Sequence, residues 1–496
     1  MVSVQPPIPL RTWMILAAAL SLGLAGTWMW QSVPRSPGIV RVLIIAPEPT
    51  GQPDIDLGLE TLIQDHFEVL AGATVTHAKA VPVPGELRKL PADLILFRFQ
   101  GRRDGLRLAL TTVWTTPARL LAGQPWNHQT QPFMEPGPAL EAWVARWPVD
   151  RRHRIRTDLH PQAPERFWDL LQAMSIRDDQ AALAGLAATQ ALAEAEPRCA
   201  TAWATLGDHL YRCLWVDPAQ AGVGLNSRTH RAFQRAVELV PGHPRATFLW
   251  SLMLTDTGNQ DRALRALEQA THLRPGIPDL YHGFAYAGRT AGLLEGAKGA
   301  LARQQALLGA MAQPSSWFAE TTYLYLGDWD TFGRELLRAR AVRLDANVVF
   351  YQGYYALLKG DRQAALTFMK AGEAMAGGPA PFQDLCRVYL AYLEGRREDG
   401  LAELRRIDDI RGKLRIPDGE WTFKEAEAYS LLGDADRAVD CATRAFVQGF
   451  SCARWYETSP FLDRMRTHPR WPTLRRNIQE RQAVLEGSFP PSSFGP

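Results

Sequence analysis

Cysteine is scarce. Five of them, Cys199, Cys213, Cys386, Cys441 and Cys452, are scattered through 496 residues, and an odd, unpatterned set builds neither a disulfide framework nor a zinc site. On one helix Cys199 and Cys213 would stand about 21 Å apart, too far to bridge. Cys441 and Cys452 flank an expected helix end, where they either bridge in an oxidising compartment or remain buried thiols. Charge of one sign is also lacking: the net value is +3, which gives no electrostatic footprint for nucleic acid. The signatures of catalysis are absent as well. There is no G-x-S-x-G, P-loop, H-E-x-x-H or paired C-x-x-C, and the eleven histidines have no ligand spacing. Asp178-Asp179 and Asp408-Asp409 are adjacent carboxylates, which on a helix point about 100° apart and read as solvated or helix-capping charge. No catalytic residue, cofactor or metal ligand is nominated, and the chain is not expected to be an enzyme. An activity housed in the α/β segment described below is the enzymatic alternative, with no residue to carry it.

Long apolar runs are confined to one place. After a short tail (1–11), Thr12–Trp30 has nineteen residues without a charge, about 28 Å as a helix and enough for a bilayer core. Trp13, Trp28 and Trp30 stand at its ends, where indoles favour headgroups. A cleaved signal peptide with small Gly23 and Ala25 before the cut is the competing reading, but the run exceeds the usual signal-peptide core. An uncleaved transmembrane helix over 12–30 is therefore expected. Arg11 precedes it and Arg35 and Arg41 follow, so the positive-inside count is nearly balanced.

Beyond a linker (31–38), residues 39–148 read as a small α/β domain. Ile39–Ala46 is a β-branched run between Pro37 and Pro47. Asp54–Leu70 carries Ile55, Leu59, Leu62, Ile63 and Phe67 at helical spacing, with Asp54 as N-cap. Thr74–Val81, Ala92–Phe99 and Leu106–Val113 supply three more strands, the last two joined by a turn around Gly101–Gly105, and a helix near Ala139–Trp147 closes the unit. A strand, a helix on the pattern GLETLIQDHFEVL, a strand and a strand hairpin resemble the TolB-like domain. In bacterial CadC-type regulators that domain stands between a membrane helix and tetratricopeptide repeats. The family's first strand usually ends in Pro-Phe, whereas this chain has Pro47-Glu48. Only eleven residues precede the apolar run, and no winged-helix domain like that of those regulators is expected ahead of it. The basic stretch Arg146, Arg151, Arg152, His153, Arg154 and Arg156 opens a linker over 149–163, either a solvated connector or a patch for anionic lipid or an acidic partner.

Residues 164–450 are organised by glycine. Gly258, Gly292, Gly327, Gly360, Gly395 and Gly433 follow one another at 34, 35, 33, 35 and 38 residues, the length of a tetratricopeptide helix–turn–helix unit. About seven units fall in phase. The first has Trp203, Leu206 and Gly207, then Phe233, Ala236 and Pro241, with its helices separated by the insertion Val216–Leu225. The next has Trp250, Ser251, Gly258, Ala263, Leu267, Ala270 and Pro275. Phe284, Ala285 and Ala297 mark the third, Phe332 the fourth, Gly353 and Ala365 the fifth, Gly395 the sixth, and Ala426, Ala438 and Ala445 the seventh. Small residues permit close helix approach, and proline stops the second helix. Glu320, Gln304 and Gly372 depart from the pattern. A helical pair over Glu165–Ala195 leads the array. The expected fold is therefore mainly α, a right-handed tetratricopeptide solenoid preceded by a small α/β domain and one transmembrane helix.

Capping helices are expected over 451–487, where SPFLDRMRTHPRWPTLRR resembles the C-terminal end of the same CadC-type proteins, with Met465 in place of their leucine. Residues 488–496, rich in Pro, Ser and Gly, are expected to be disordered. In such a stack the first helices line the concave face. Projection onto it selects Tyr211, Phe248, His282, Tyr286, Arg289, Trp317, Phe350, Tyr354, Tyr389, Tyr392 and Phe423 as an aromatic groove for a protein or peptide partner, against the plain alternative that they pack between helices. The expectation is a membrane-anchored, periplasm-facing tetratricopeptide scaffold. The alternative is a signalling component derived from a CadC-type regulator, with its output supplied by another protein.

Overall fold

The computed structural model describes residues 40–46, 52–136, 139–140, 143, 159–161, 163–216, 223–309, 320–342, 344–375, 382–412 and 416–495. The apolar segment 12–30, nearly all of the basic linker and Trp317 lie outside them. No helix among the described residues is long and apolar enough to cross a membrane.

The N-terminal unit is a five-stranded sheet with the order β2-β1-β3-β4-β5. Strand β1 (Arg41–Ile45) lies parallel to β2 (Thr74–Ala78) and to β3 (Ile95–Asp104). Strand β4 (Arg107–Thr115) returns antiparallel beside β3 through a two-residue turn whose Gly105 takes φ 58, a left-handed value that glycine adopts without strain. Four strands are expected from sequence; the fifth, β5 (Asn127–Met134), is an addition. Its residues NHQTQPFM show no apolar alternation, and Pro132 is tolerated because β5 is an edge strand. Val42, Ile44, Phe97, Phe99, Leu108 and Leu110 face the helix Pro53–Ala71, meeting Leu59, Leu62, Ile63 and Phe67. That helix begins at Pro53, with Gln52 as its N-cap, two positions before the expected Asp54 and without a capping side chain.

From Pro164 the chain is helical and arranged in hairpins. Pro164–Ser175 pairs with Asp179–Ala195, Ala200–Val216 with Leu225–Leu239, Pro244–Asp256 with Gln260–Leu273, and Pro278–Ala291 with Leu294–Leu308. The series continues with Thr322–Tyr325 and Trp329–Val342, Ala346–Leu358 and Arg362–Glu373, Phe382–Leu393 and Arg397–Arg411, and Gly419–Leu431 and Ala435–Val447. The periodic glycines end the first helix of six of these hairpins, with φ of 81, 84, 76, 79, 75 and 82 from Gly258 to Gly433. In each case the amide after the glycine donates five residues back. Asn259 N donates to Leu254 O at 2.7 Å, Leu293 to Gly288 at 2.8, Asp328 to Tyr323 at 2.9, Asp361 to Ala356 at 2.9, Arg396 to Ala391 at 2.8 and Asp434 to Tyr429 at 2.9. This is the Schellman closure, and it needs a left-handed residue at that place. Where Asp follows the glycine, its carboxylate caps the next helix: Asp328 accepts from Thr331 N, Asp361 from Ala364 N and Asp434 from Arg437 N.

Sheet and helices share one apolar core, which runs from Val42 and Phe97 through Phe167 and Leu171 to Phe248. The helix Pro53–Ala71 crosses Pro164–Ser175 at Gly58, where an added Cβ would come 2.1 Å from the Leu171 carbonyl oxygen. Thr74 Oγ1 donates to Gly276 O at 2.6 Å, and Arg245 pairs with Asp65 at 3.1 Å. Three buried imidazoles lie at this junction. His66 and His160 stack with ring centroids 5.8 Å apart, and His243 is fully enclosed. Burial pushes His66 down to about 4, with His160 adding to it. Burial also pushes His243 down to about 4, with Asp65 opposing and Arg245 and Arg274 adding. The unfolded chain therefore binds more protons than the folded one between pH 6.5 and 4, and this contribution to stability is lost as pH falls through that window. His243→Leu is expected to remove one such term. In urea titrations the stability difference between variant and wild type should move in the variant's favour by about 3 kcal/mol from pH 6.5 to 4. A difference that stays flat with pH refutes the assignment.

The row of hairpins closes on itself. Asp418 N donates to Asp256 O at 2.9 Å and Ser451 N to Thr290 O at 2.8 Å. Arg481, on the helix Trp471–Ser488, reaches Gln260 Oε1 at 3.2 Å. The last hairpin and the C-terminal helices thus sit against the second and third repeats. The C-terminal residues are not free either: Pro491–Phe494 form a 3-10 turn, and Phe489 and Phe494 are buried, in contrast to the disorder expected over 488–496.

Candidate interaction face

The aromatic residues selected from sequence come together on the inner helices, and the chain covers them itself. Phe248, His282, Tyr286, Arg289, Phe350, Tyr354, Tyr389 and Phe423 are all buried, and Tyr392 is half-buried. Phe423 belongs to the helix Gly419–Leu431, which packs on Arg289, Tyr325 and Tyr354 and is buried from Gly419 to Ser430 despite carrying Glu420, Lys424, Glu425 and Glu427. Charged side chains are almost never fully buried unless paired, and each of these is.

At the N-terminal end of that helix, Arg289 lies between Glu420 at 3.1 Å and Glu320 at 3.3 Å, with its guanidinium 4.8 Å over the Tyr286 ring. Glu420 also accepts from Thr321 Oγ1 at 2.7 Å and Tyr325 OH at 2.5 Å. Burial would lower the Arg289 guanidinium, but the two glutamates outweigh it and hold it above its ordinary value. Burial would likewise raise Glu420, yet Arg289, Tyr325 and Thr321 keep its carboxyl below the usual range. Asp256 accepts from Tyr211 OH at 2.6 Å and from Tyr286 OH. Burial and the nearby Asp418 carboxylate push Asp256 up to about 8 against those two hydroxyls. Asp418 itself, with φ 41, caps the helix by accepting from Trp421 N at 3.1 Å, and burial pushes it up to about 6.

One helical turn further on, Lys424 is enclosed by aromatic rings. Its Nζ lies 4.2 Å from the Tyr354 centroid, 5.6 Å from Tyr325, 5.8 Å from Trp455 and 6.0 Å from Tyr351, an arrangement that attracts cations to the ring faces. Lys424 donates to Tyr354 OH and to Glu427 Oε2, both at 3.0 Å. Glu427 accepts besides from Tyr354 OH at 2.8 Å, Trp455 Nε1 at 3.1 Å and Ser459 Oγ at 2.6 Å. The other selected aromatics complete the packing. Phe350 lies against Tyr354 and Tyr389 at 5.8 and 5.3 Å, Phe248 stacks on His282 at 5.8 Å, and Phe423 meets Tyr456 at 4.6 Å. Arg362 sits 5.5 Å over Tyr392.

Sequence reasoning found the aromatic half of this arrangement through helical periodicity. Asp256, Asp418, Glu420, Lys424 and Glu427 carry no comparable signal, because a charged position on a helix reads as solvated. The adjacent carboxylates behave as capping and pairing groups: Asp178 caps its helix by accepting from Ala181 N, and Asp179 pairs with Arg212 at 3.2 Å. Asp408, Glu425 and Cys441 are close enough to share a cation, but the Arg444 guanidinium donates to all three and takes the place an ion would have. Burial pushes the Cys441 thiol up to about 12, which leaves a poor ligand. All five cysteines are buried, and Cys441 and Cys452 are not bridged. No known family model matches this chain, and no curated protein matches it.

Proposed function

We propose that this chain is an interaction scaffold of the tetratricopeptide kind, held at a membrane by residues 12–30, with a TolB-like unit over 39–148 between anchor and repeats. The recurring Gly-turn hairpin supports the repeat assignment. The observation that carries the binding role is the grip on the helix Gly419–Leu431. Arg289 and Tyr325 hold Glu420, the aromatic enclosure holds Lys424, and Tyr354, Trp455 and Ser459 hold Glu427. Recognition of a helix through regularly spaced anchors is how helical ligands are bound in grooves, and an inner face so equipped suits a partner helix with Glu, Lys and Glu at the same spacing. The partner is then a protein or peptide that competes with the chain's own helix. The signalling alternative draws support from the apolar core common to the sheet and the first hairpins, through which a change in one unit strains the other.

The test uses the full chain with a C-terminal reporter active only outside the cytoplasm, followed by crosslinking in membranes and affinity purification. Reporter activity and a stoichiometric protein partner are expected. Recovery of the chain alone sinks the binding role, and reporter silence sinks the periplasmic placement.

A further inference from the structure

Against the fourth hairpin, Pro278–Ala291 and Leu294–Leu308, a different piece of the chain is docked, by other means. The helix Trp471–Ser488 ends before Phe489, and one 3-10 turn, Pro491–Phe494, follows. Among residues 488–495 only Phe489 and Phe494 are buried, at 2% and 3% exposure, while Pro490, Pro491 and Ser492 stand in solvent. None of these eight residues carries a charged side chain.

Phe494 fills a notch made by two missing side chains. Gly288 is on the helix Pro278–Ala291 and Gly296 on Leu294–Leu308; a Cβ on either would come 2.7 or 2.5 Å from the Phe494 ring. At Gly296 the three nearest atoms all belong to Phe494, so its smallness accommodates the tail and not the packing of the hairpin. Phe284 lines the notch with its ring 5.1 Å from that of Phe494, and Arg265 stands 5.3 Å over Phe489. The hydrogen bonds of the segment are internal: Phe489 N donates to Leu485 O and Ser493 N to Pro490 O. Among the described residues no hydrogen bond joins 490–495 to the hairpin. Two aromatic anchors and no backbone pairing oppose the ordering of a short chain end, and those opposing terms are of similar size. Docking then depends on the tether, which supplies a millimolar effective concentration.

We propose that Ser488–Gly495 is a releasable intramolecular ligand, and that the Gly288/Gly296 notch is a docking site for an uncharged peptide bearing two phenylalanines five positions apart with proline between them. The notch lies apart from the inner face, so the proposal stands independently of how that face is used. In the full chain the tail masks the site; a partner segment with the same two anchors takes it when the tail leaves.

The probe is a fluorescein-labelled peptide of the tail's own sequence, SFPPSSFGP, followed by anisotropy. Binding to the full chain carrying Phe494→Ala is expected in the micromolar range, and about tenfold or more weaker binding to wild type, whose tail competes. A peptide with its second phenylalanine replaced by alanine is expected not to bind. Absence of binding to a Phe494→Ala chain that keeps its circular dichroism and unfolding midpoint overturns the proposal, as does equal binding to wild type and variant. A doubled mass of the wild type in light scattering, lost in Phe494→Ala, would mean that tails exchange between copies and overturns the intramolecular form. Hydrogen exchange on the wild type needs no variant. The amides of Ser492–Gly495, the only ones in 490–495 since Pro490 and Pro491 have none, are expected to exchange many-fold faster than those of Pro278–Ala291, and equal protection overturns release.

Discussion

Glu427→Gln will destabilise the fold by about 3–5 kcal/mol, the usual result of stripping one partner from a buried ion pair. The substitution keeps the shape of the side chain and removes only its charge. Lys424, 1% exposed on its side chain, then keeps a cation with no anion within 4 Å, since its other contacts are the Tyr354 hydroxyl and aromatic rings. The amide nitrogen that replaces one carboxylate oxygen also meets donors, from Tyr354, Trp455 and Ser459, on both sides. Denaturant unfolding of both chains measures the loss. The double variant Glu427→Gln with Lys424→Met separates the two causes, because removing the orphaned cation restores part of the stability if the charge is responsible. A single-variant loss below about 1 kcal/mol would mean that water reaches the pair, and the picture of a dry inner helix would fall with it.

Gly58→Ala is expected to cost about 3 kcal/mol or more, at or beyond the upper end of ordinary overpacking. The reason lies in what the new methyl meets. At most tight glycines the neighbour is a side chain that can swing away; here it is the backbone of Leu171, with the carbonyl oxygen at 2.1 Å and its carbon at 2.7 Å. Only a shift of one whole helix relieves the contact, and that shift opens the seam between the sheet and the first hairpin. The lowered unfolding midpoint should come with new protease cutting near residues 159–164, while Gly72→Ala, where nothing lies within 4 Å, loses only the smaller amount due to its left-handed φ of 58. An unchanged midpoint for Gly58→Ala would show that the two helices do not cross this closely.

Much of the helical part is legible because one local requirement repeats. A helix that ends in a Schellman turn wants glycine at one position, so six such turns leave six glycines at even spacing, and the spacing survives where Glu320 or Gly372 blurs the rest of the unit. Strands β1 to β4 are legible from β-branched runs. Strand β5 is not, since its inward Gln129 and Gln131 are polar and Pro132 argues against a strand. The inner face is half legible for a similar reason. Tyr286 and Arg289 share one stripe of Pro278–Ala291 and Tyr354 lies on Ala346–Leu358, but nothing local in GEWTFKEAEAYSL says that this helix is covered on all sides. Its burial follows from contacts between residues far apart in the chain, such as Arg289 with Glu420 across 131 positions, and periodicity carries no information about those. The same holds for the tail, whose composition suits a disordered end until two phenylalanines find a notch built of glycine.

The closure of the row onto its third and fourth hairpins alters how the molecule must be made. In an open array each repeat depends only on its neighbours, and folding can begin anywhere and spread. Here Asp256 and Arg289, synthesised near the middle of the chain, receive Asp418 and Glu420 only after the seventh hairpin has emerged. A ribosome-bound chain therefore carries an incomplete interior until translation is nearly finished. Truncations from the C-terminus should not shorten the array one repeat at a time but undo it together, so that the protein behaves on unfolding as one cooperative block and not as a string of separable beads.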